Sequence, residues 1–338
     1  MILDDVLAGI NGSATPTFGS FVAGQLEPVP RDASRIDVLD PASGGTIARI
    51  ADAGVSGVAR AVAAAETAAP GWAAVPARDR GAIVSAFARR IADHAEALSH
   101  LDTLDTGNPL TAMRADVDKG VRLLSDAAGL ALQVTGTVYP LPGLHFTQRE
   151  PWGVVGRMIT FNHPVMFACA RLGAALVTGN TVVLKASELA PLSALEIASL
   201  STGIVPDGVI NVVTGGPATG EALVRHPSVL RISFTGSTAT ALRIQAAAAA
   251  SGRVKTLSFE LGGKNPIVVF PDVDLDEIAD AIVRGMNFTR VQGQSCGSTS
   301  RLVVHESIAE AVLERVAERA SAIRIGHPME PTTQMGAM

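Results

Sequence analysis

The chain has 338 residues, 27 Lys+Arg against 32 Asp+Glu, and a net charge of −5, which gives length for two ordinary domains and excludes the basic surface that nucleic acid requires. Apolar residues make up 47% and charged residues 17%, so a large core is available and disorder is excluded. Mean hydropathy is high at +0.31, yet no apolar run approaches the ~20 residues of a spanning helix, and MILDDVLAGINGS lacks the basic and apolar regions of a secretory signal; the expectation is a cytoplasmic globular protein with no membrane partner.

After an irregular start the first 130 residues read as helical. Residues 56–69 carry small apolar side chains at helical spacing, and Pro70-Gly71 is set to stop the segment. From Arg78 to about Leu101, Ile83, Phe87, Ile91 and Leu98 fall on one helix face, and 111–132 repeats the pattern. Residues 133–150 place β-branched and aromatic residues around a Pro-Leu-Pro-Gly turn, which predicts an extended hairpin. From Gly153 the rhythm is strand, loop, helix. Strands are expected at 154–160, 181–185, 209–213, 230–234 and 254–259, with helices at 165–177, 190–201, 217–225 and 238–250. The strands are continuous apolar runs, as when helices cover both faces of a parallel sheet, so the fold class is a doubly wound α/β sheet. A second α/β stretch follows: strand 266–270, helix 274–287, strand 300–305 and helix 307–322. PTTQMGAM then ends the chain with no capped helix or closing strand, which reads as the middle of a domain.

Ligands of such sheets gather outside the carboxyl ends of the strands, and the polar and Gly-rich exceptions fall there. They are Asn162, Lys185 with Glu188, Thr214-Gly215-Gly216, Phe234 to Ser237, and Glu260 to Lys264. Gly236-Ser237 opens a helix whose N–H groups would face an anion such as a pyrophosphate; a simple N-capping Ser237 is the alternative. Lys185 and Glu188 suit ribose hydroxyls, or form a solvated loop pair, and a carboxylate here favours NAD over NADP. Cys296 sits in the polar, Gly-flanked QGQSCGSTSR and is a candidate nucleophile. Cys169, within FACARLGAAL, reads as a core residue. Two distant cysteines exclude a disulfide framework, and the histidines have no metal-ligand spacing, so no metal is expected. Glu260, next to two glycines, reads as a partly desolvated general base or an exposed loop acid. His163, extended before Pro164, reads as packing or loop polarity rather than a base.

The segments PWGVVGRMITFNHP, GNTVVLKASE, ISFTGST, FELGGKNP and GQSCGSTSRLVVH resemble, in order, those of the NAD(P)-dependent aldehyde dehydrogenase family. The resemblance covers essentially the whole chain, and ELGGK followed by GQ-x-C is its most specific part. It implies that Cys296 is the nucleophile, that the Asn162 amide and the Cys296 N–H stabilise the oxyanion, and that Glu260 activates water for deacylation. It also implies a cofactor site of Lys185, Glu188, Gly236, Ser237, Thr160, Phe161, Gly216, Leu261 and Gly262, with NAD as cofactor and a small-molecule aldehyde as substrate. The implied organisation is an NAD-binding domain (1–130 and 152–260), a hairpin arm (131–151) for a homodimer or homotetramer, and the first part of a catalytic domain (261–338). Met166, Cys169, Arg290 and Ser295 are expected near the substrate tunnel.

The chain departs from the pattern at Ala241, where the family has glycine, at Ala186, where it has proline, and at His163, where an aromatic residue is usual. Family members also continue beyond the position of Met338 with an E-x-F-G-P segment. A fragment is therefore expected, with part of the 266–322 core unburied. The competing readings are a chain that binds NAD without turnover, and a CoA-acylating relative, against which the intact ELGGK argues because a hydrolytic base would waste the thioester.

Overall fold

The structure is a computed structural model that describes residues 1–338. At its centre lies a seven-stranded sheet, in spatial order Thr256–Leu261, Arg231–Gly236, Val154–Met158, Thr181–Lys185, Ile210–Val213, Phe21–Val22 and Gln25–Leu26. The first five strands are parallel, and the last two extend the edge antiparallel. The chain builds outward from Val154–Met158 to Ile210–Val213, then returns to the other side of Val154–Met158 with Arg231–Gly236. That reversal is the switch point at which doubly wound sheets bind ligands.

Successive residues of these strands serve opposite cores. Val154, Met158, Val183, Val213 and Ile232 join Val58, Ala61, Val62 and Ala65 of helix Gly54–Ala74 on one face. On the other face, Val155, Val182, Leu184, Ile210 and Val212 join Leu172 and Leu176 of helix Pro164–Val177 and Leu195 of Leu192–Leu200. Burial on both sides is why the strands read as unbroken apolar runs. From 154 to 322 every expected strand and helix is present, with ends displaced by two residues or fewer. No helix is long and apolar enough to cross a membrane.

The N-terminal part departs further from the sequence reading. The irregular start contains helix Ile2–Ile10 and a three-stranded sheet of Thr17–Phe18, Thr46–Ala51 and Arg35–Leu39; strands this short carry too few alternations to register as a period. Pro70-Gly71 does not stop its helix, which runs on to Ala74. Pro70 is exposed, so the carbonyl deprived of a partner can meet water. Two residues on, buried Trp72 donates from Nε1 to the Leu176 carbonyl at 3.1 Å and anchors the last turn. The single helix expected from Arg78 is two, Ala77–Asp93 and Ala95–Thr106, broken at His94 (φ −111°, ψ 17°). Ile83 is half-buried there, and Val84 takes the core position.

Helix Leu110–Gly129 packs closely along Pro164–Val177, with small residues at the crossing. A Cβ on Gly120 would lie 3.3 Å from Cys169 Sγ, and one on Gly173 would lie 2.8 Å from the Ala127 methyl. The hairpin forms as expected, Val138–Tyr139 against His145–Phe146, and exposes Val138, Leu141, Leu144 and Phe146. Asn265–Val269 and Thr299–Val304 make a separate parallel pair. Its core is Val269, Ala279, Ile282, Val312 and Val316, while Val268, Phe270 and Val303 are exposed. The final residues are more ordered than their sequence suggests. Ile325 bridges to Met335, and the Leu110 N–H donates to the Pro328 carbonyl at 2.9 Å.

Candidate active site

Strand register sets the site. Met158 lies beside Lys185 and Phe234, Lys185 beside Val213, and Thr235 beside Glu260, so the carboxyl ends of all five parallel strands form one row. A cleft of about 810 Å³ opens over this row, bordered by helices Pro217–Arg225 and Thr238–Ala250, a size typical of small-molecule and cofactor sites. Of the expected cofactor residues, Thr160, Lys185, Glu188, Gly236 and Ser237 line it; Phe161, Gly216, Leu261 and Gly262 do not. Gly216 faces Ile36 and Asp52 instead, and Leu261 ends the outermost strand of the sheet. The sequence reading missed Ser187, Glu221, Arg225, Thr240 and Arg243. Most of them lie on the cleft-facing sides of helices, where polar residues carry no signal that separates them from a solvated face.

Lys185 ends a strand buried along its whole length, and its ammonium donates to Glu188 Oε2 at 2.8 Å. Burial pushes the Glu188 carboxyl up, but the hydrogen bond and charge of Lys185 outweigh it and hold the group below the usual carboxylate range. The Glu188 carboxylate therefore stays ionised at neutral pH. Ser237 is an N-cap: its Oγ accepts from the Thr240 N–H at 3.2 Å. The capping alternative is thus realised, and it leaves the positive end of a 13-residue helix at the cleft. Ala241 is buried and does not line the cleft.

Cys296 is exposed in the loop between Phe288–Val291 and Thr299–Val304. Several contacts hold this loop. Asn265 Nδ2 donates to the Cys296 carbonyl at 2.6 Å and to the Ser298 carbonyl at 3.1 Å. Gln292, in the left-handed region at φ 52°, is buried and donates from Nε2 to the Gly107 carbonyl at 2.7 Å. Asn162 Nδ2 donates to the Gln294 carbonyl at 2.8 Å, while Asn162 Oδ1 is buried without a partner. The Cys296 N–H donates to no acceptor in the chain. The structure thus brings the Asn162 amide to the cysteine loop. Glu260 is exposed, the second of its two readings, on the edge strand Thr256–Leu261 of the sheet.

Asn162 is itself fixed. Asn108 Nδ2 donates to its carbonyl at 3.1 Å. The next helix, Pro164–Val177, is capped from below by Asp102, whose Oδ2 accepts the Val165 N–H at 3.1 Å. His163 is buried, with Nδ1 against Asp116 Oδ2, in agreement with a packing role. Cys169 is fully buried, and burial pushes its thiol up to about 12; it therefore cannot line a tunnel.

Residues 29–338 match the model of the aldehyde dehydrogenase family. Aldehyde dehydrogenase tropH of Talaromyces stipitatus is 42% identical over 311 residues, which cover 90% of this chain and 60% of that protein. PnpE from Pseudomonas sp. WBC-3 has a TM-score of 0.90 at 39% identity, covering 94% of this chain and 65% of its own, and PnpE has also been solved with nicotinamide adenine dinucleotide. The AldA indole-3-acetaldehyde dehydrogenase of P. syringae, a mutant solved with NAD+ and IAA, has a TM-score of 0.92 at 33% identity over 100% of this chain and 69% of its own. The chain spans about 60% of the curated relative's length. With the motifs, the switch-point cleft and this match in agreement, the chain belongs to the aldehyde dehydrogenase family.

Proposed function

We propose that this chain carries the cofactor site and the nucleophile for NAD-dependent oxidation of an aldehyde to a carboxylic acid. The observation that carries the reading is the Asn162 amide held at the loop of an exposed cysteine, beside a cleft with a helix N-terminus and the Lys185–Glu188 salt bridge. The cleft suits a dinucleotide: the helix end favours pyrophosphate, and Glu188 can accept from ribose hydroxyls while disfavouring a 2′-phosphate. When bound, NAD supplies the hydride acceptor.

The residues divide the remaining work. Cys296 Sγ, as the thiolate, attacks the carbonyl carbon, and the electron pair of the C=O bond moves to oxygen. The Cys296 N–H and Asn162 Nδ2 donate to that oxygen; each such donor is typically worth ~3–4 kcal/mol in the transition state. After oxidation Cys296 holds the acyl group as a thioester. Glu260 takes a proton from water, the water oxygen attacks the acyl carbon, and the C–S bond breaks to release the acid and the thiolate. Residues 1–130 and 152–260 serve as the cofactor domain and 261–338 as part of the catalytic domain. Hairpin 131–151, with its exposed apolar residues, is the arm toward a second subunit in a homodimer or homotetramer.

The test is an aldehyde panel with NAD, following the reduced cofactor, beside calorimetric titration of NAD. The parent chain is expected to give the acid whether or not CoA is present, and Cys296→Ser to abolish oxidation while leaving NAD affinity unchanged. Full oxidation by that variant would overturn the mechanism.

A further inference from the structure

Asp116, on helix Leu110–Gly129, is 1% exposed, and both its carboxylate oxygens are engaged. Oδ2 meets His163 Nδ1, immediately after Asn162 in the chain. Oδ1 accepts from Arg290 NH2 at 2.9 Å, on the short helix that leads into the Cys296 loop. The neighbouring turn adds two further ties. Asn108 donates to the Asn162 carbonyl, and the Gly107 carbonyl accepts from Gln292, four residues before Cys296. One stretch, 107–116, thus grips both the oxyanion donor and the nucleophile loop, which are far apart in sequence.

Building on the function proposed above, we propose that Asp116 is a positioning residue that sets the Asn162 amide against Cys296 by joining His163 to Arg290. Its helix is a rigid support, since Gly120, one turn on, lies against Met166 and Cys169. A buried carboxylate with two charge-assisted or polar partners fixes direction as well as distance. Hydrogen-bond donors must meet the developing oxyanion closely, and a shift of about 1 Å can cost ~10²-fold in rate.

The test uses two reactions of Cys296 that need no cofactor. Acylation by p-nitrophenyl acetate needs the oxyanion donors; alkylation by iodoacetamide needs only an accessible thiolate. In Asp116→Asn, which keeps the shape and removes the charge, acylation is expected to fall about 10- to 100-fold, with alkylation and NAD affinity within about twofold of the parent chain. In an Asn162→Ala background the same change should have little further effect, because the two residues act through one interaction. Arg290→Met, at a side chain 45% exposed, breaks only the loop end of the link and is expected to reproduce the loss if Asp116→Asn fails to fold; Arg290→Lys should restore part of it. Unchanged acylation in both variants, a parallel loss of alkylation, or additivity with Asn162→Ala would overturn the positioning role while leaving the proposed function intact. A parent chain no more reactive toward the ester than Cys296→Ser overturns both.

Discussion

Raising the pH from 5 to 8 should destabilise this fold through Asp102. The residue is fully buried on helix Ala95–Thr106, and its Oδ2 caps helix Pro164–Val177 while Oδ1 has no partner. Burial is the main cause that pushes its carboxyl from the 3.8 of an unperturbed aspartate up to about 7; the Val165 N–H opposes this and the charge of Asp116 adds to it. Asp105, three residues on, is also raised by burial and by Asp102, and it caps Leu192–Leu200 through the Leu192 N–H. The sign follows from proton counts. Between 3.8 and about 7 the folded chain keeps a proton that the unfolded chain has lost, so stability is fully present below 3.8 and declines as pH rises through 7. At 1.36 kcal/mol per pH unit, Asp102 removes about 3 kcal/mol between pH 5 and pH 8, which is roughly 4 °C in Tm for a chain of this size. The assay is thermal unfolding at pH 5, 6, 7 and 8 for the parent chain and Asp102→Asn, whose Oδ1 can still accept from Val165. The parent is expected to lose several degrees more than the variant across this range. Equal slopes for the two proteins would refute the reasoning.

Two further outcomes follow from the site. A thiol reagent should label one cysteine rapidly in the folded chain and the second only on unfolding, because Cys296 is exposed and Cys169 is fully buried with its thiol pushed up to about 12; two fast phases would contradict the structure. Glu188→Gln should weaken NAD about tenfold through loss of a charged acceptor and narrow the preference over a 2′-phosphorylated dinucleotide, measured by paired titrations. An unchanged ratio of affinities would remove Glu188 from cofactor selection.

Much of the architecture was legible because its signals are local. The apolar run of Thr181–Lys185 and the helical spacing of 217–225 and 238–250 lie within a few turns or alternations of chain, and the matching elements form with little displacement. The candidate nucleophile and the Asn162 turn were readable from short motifs, and five of the expected cofactor residues do line one cleft. Pro70 shows where local rules lose. Its stop signal was real, but the buried Trp72 anchor, 104 residues in sequence from its acceptor, kept the helix going.

What the sequence determined by itself is the order of strands and helices from residue 154 onward, the family, and the residue types at the ends of the strands, since period and motif are written in neighbouring residues. Tertiary structure decided which of those residues share a cleft, that Glu260 is exposed at a sheet edge, and that three acids with no motif of their own do structural work inside the helical layer. Asp116 reaches Arg290 across 174 residues, and Asp102 reaches Val165 across 63. An aspartate in a helix pattern looks like a solvated residue until the partner helix arrives, because its burial and its hydrogen-bond partners are properties of packing rather than of the chain around it.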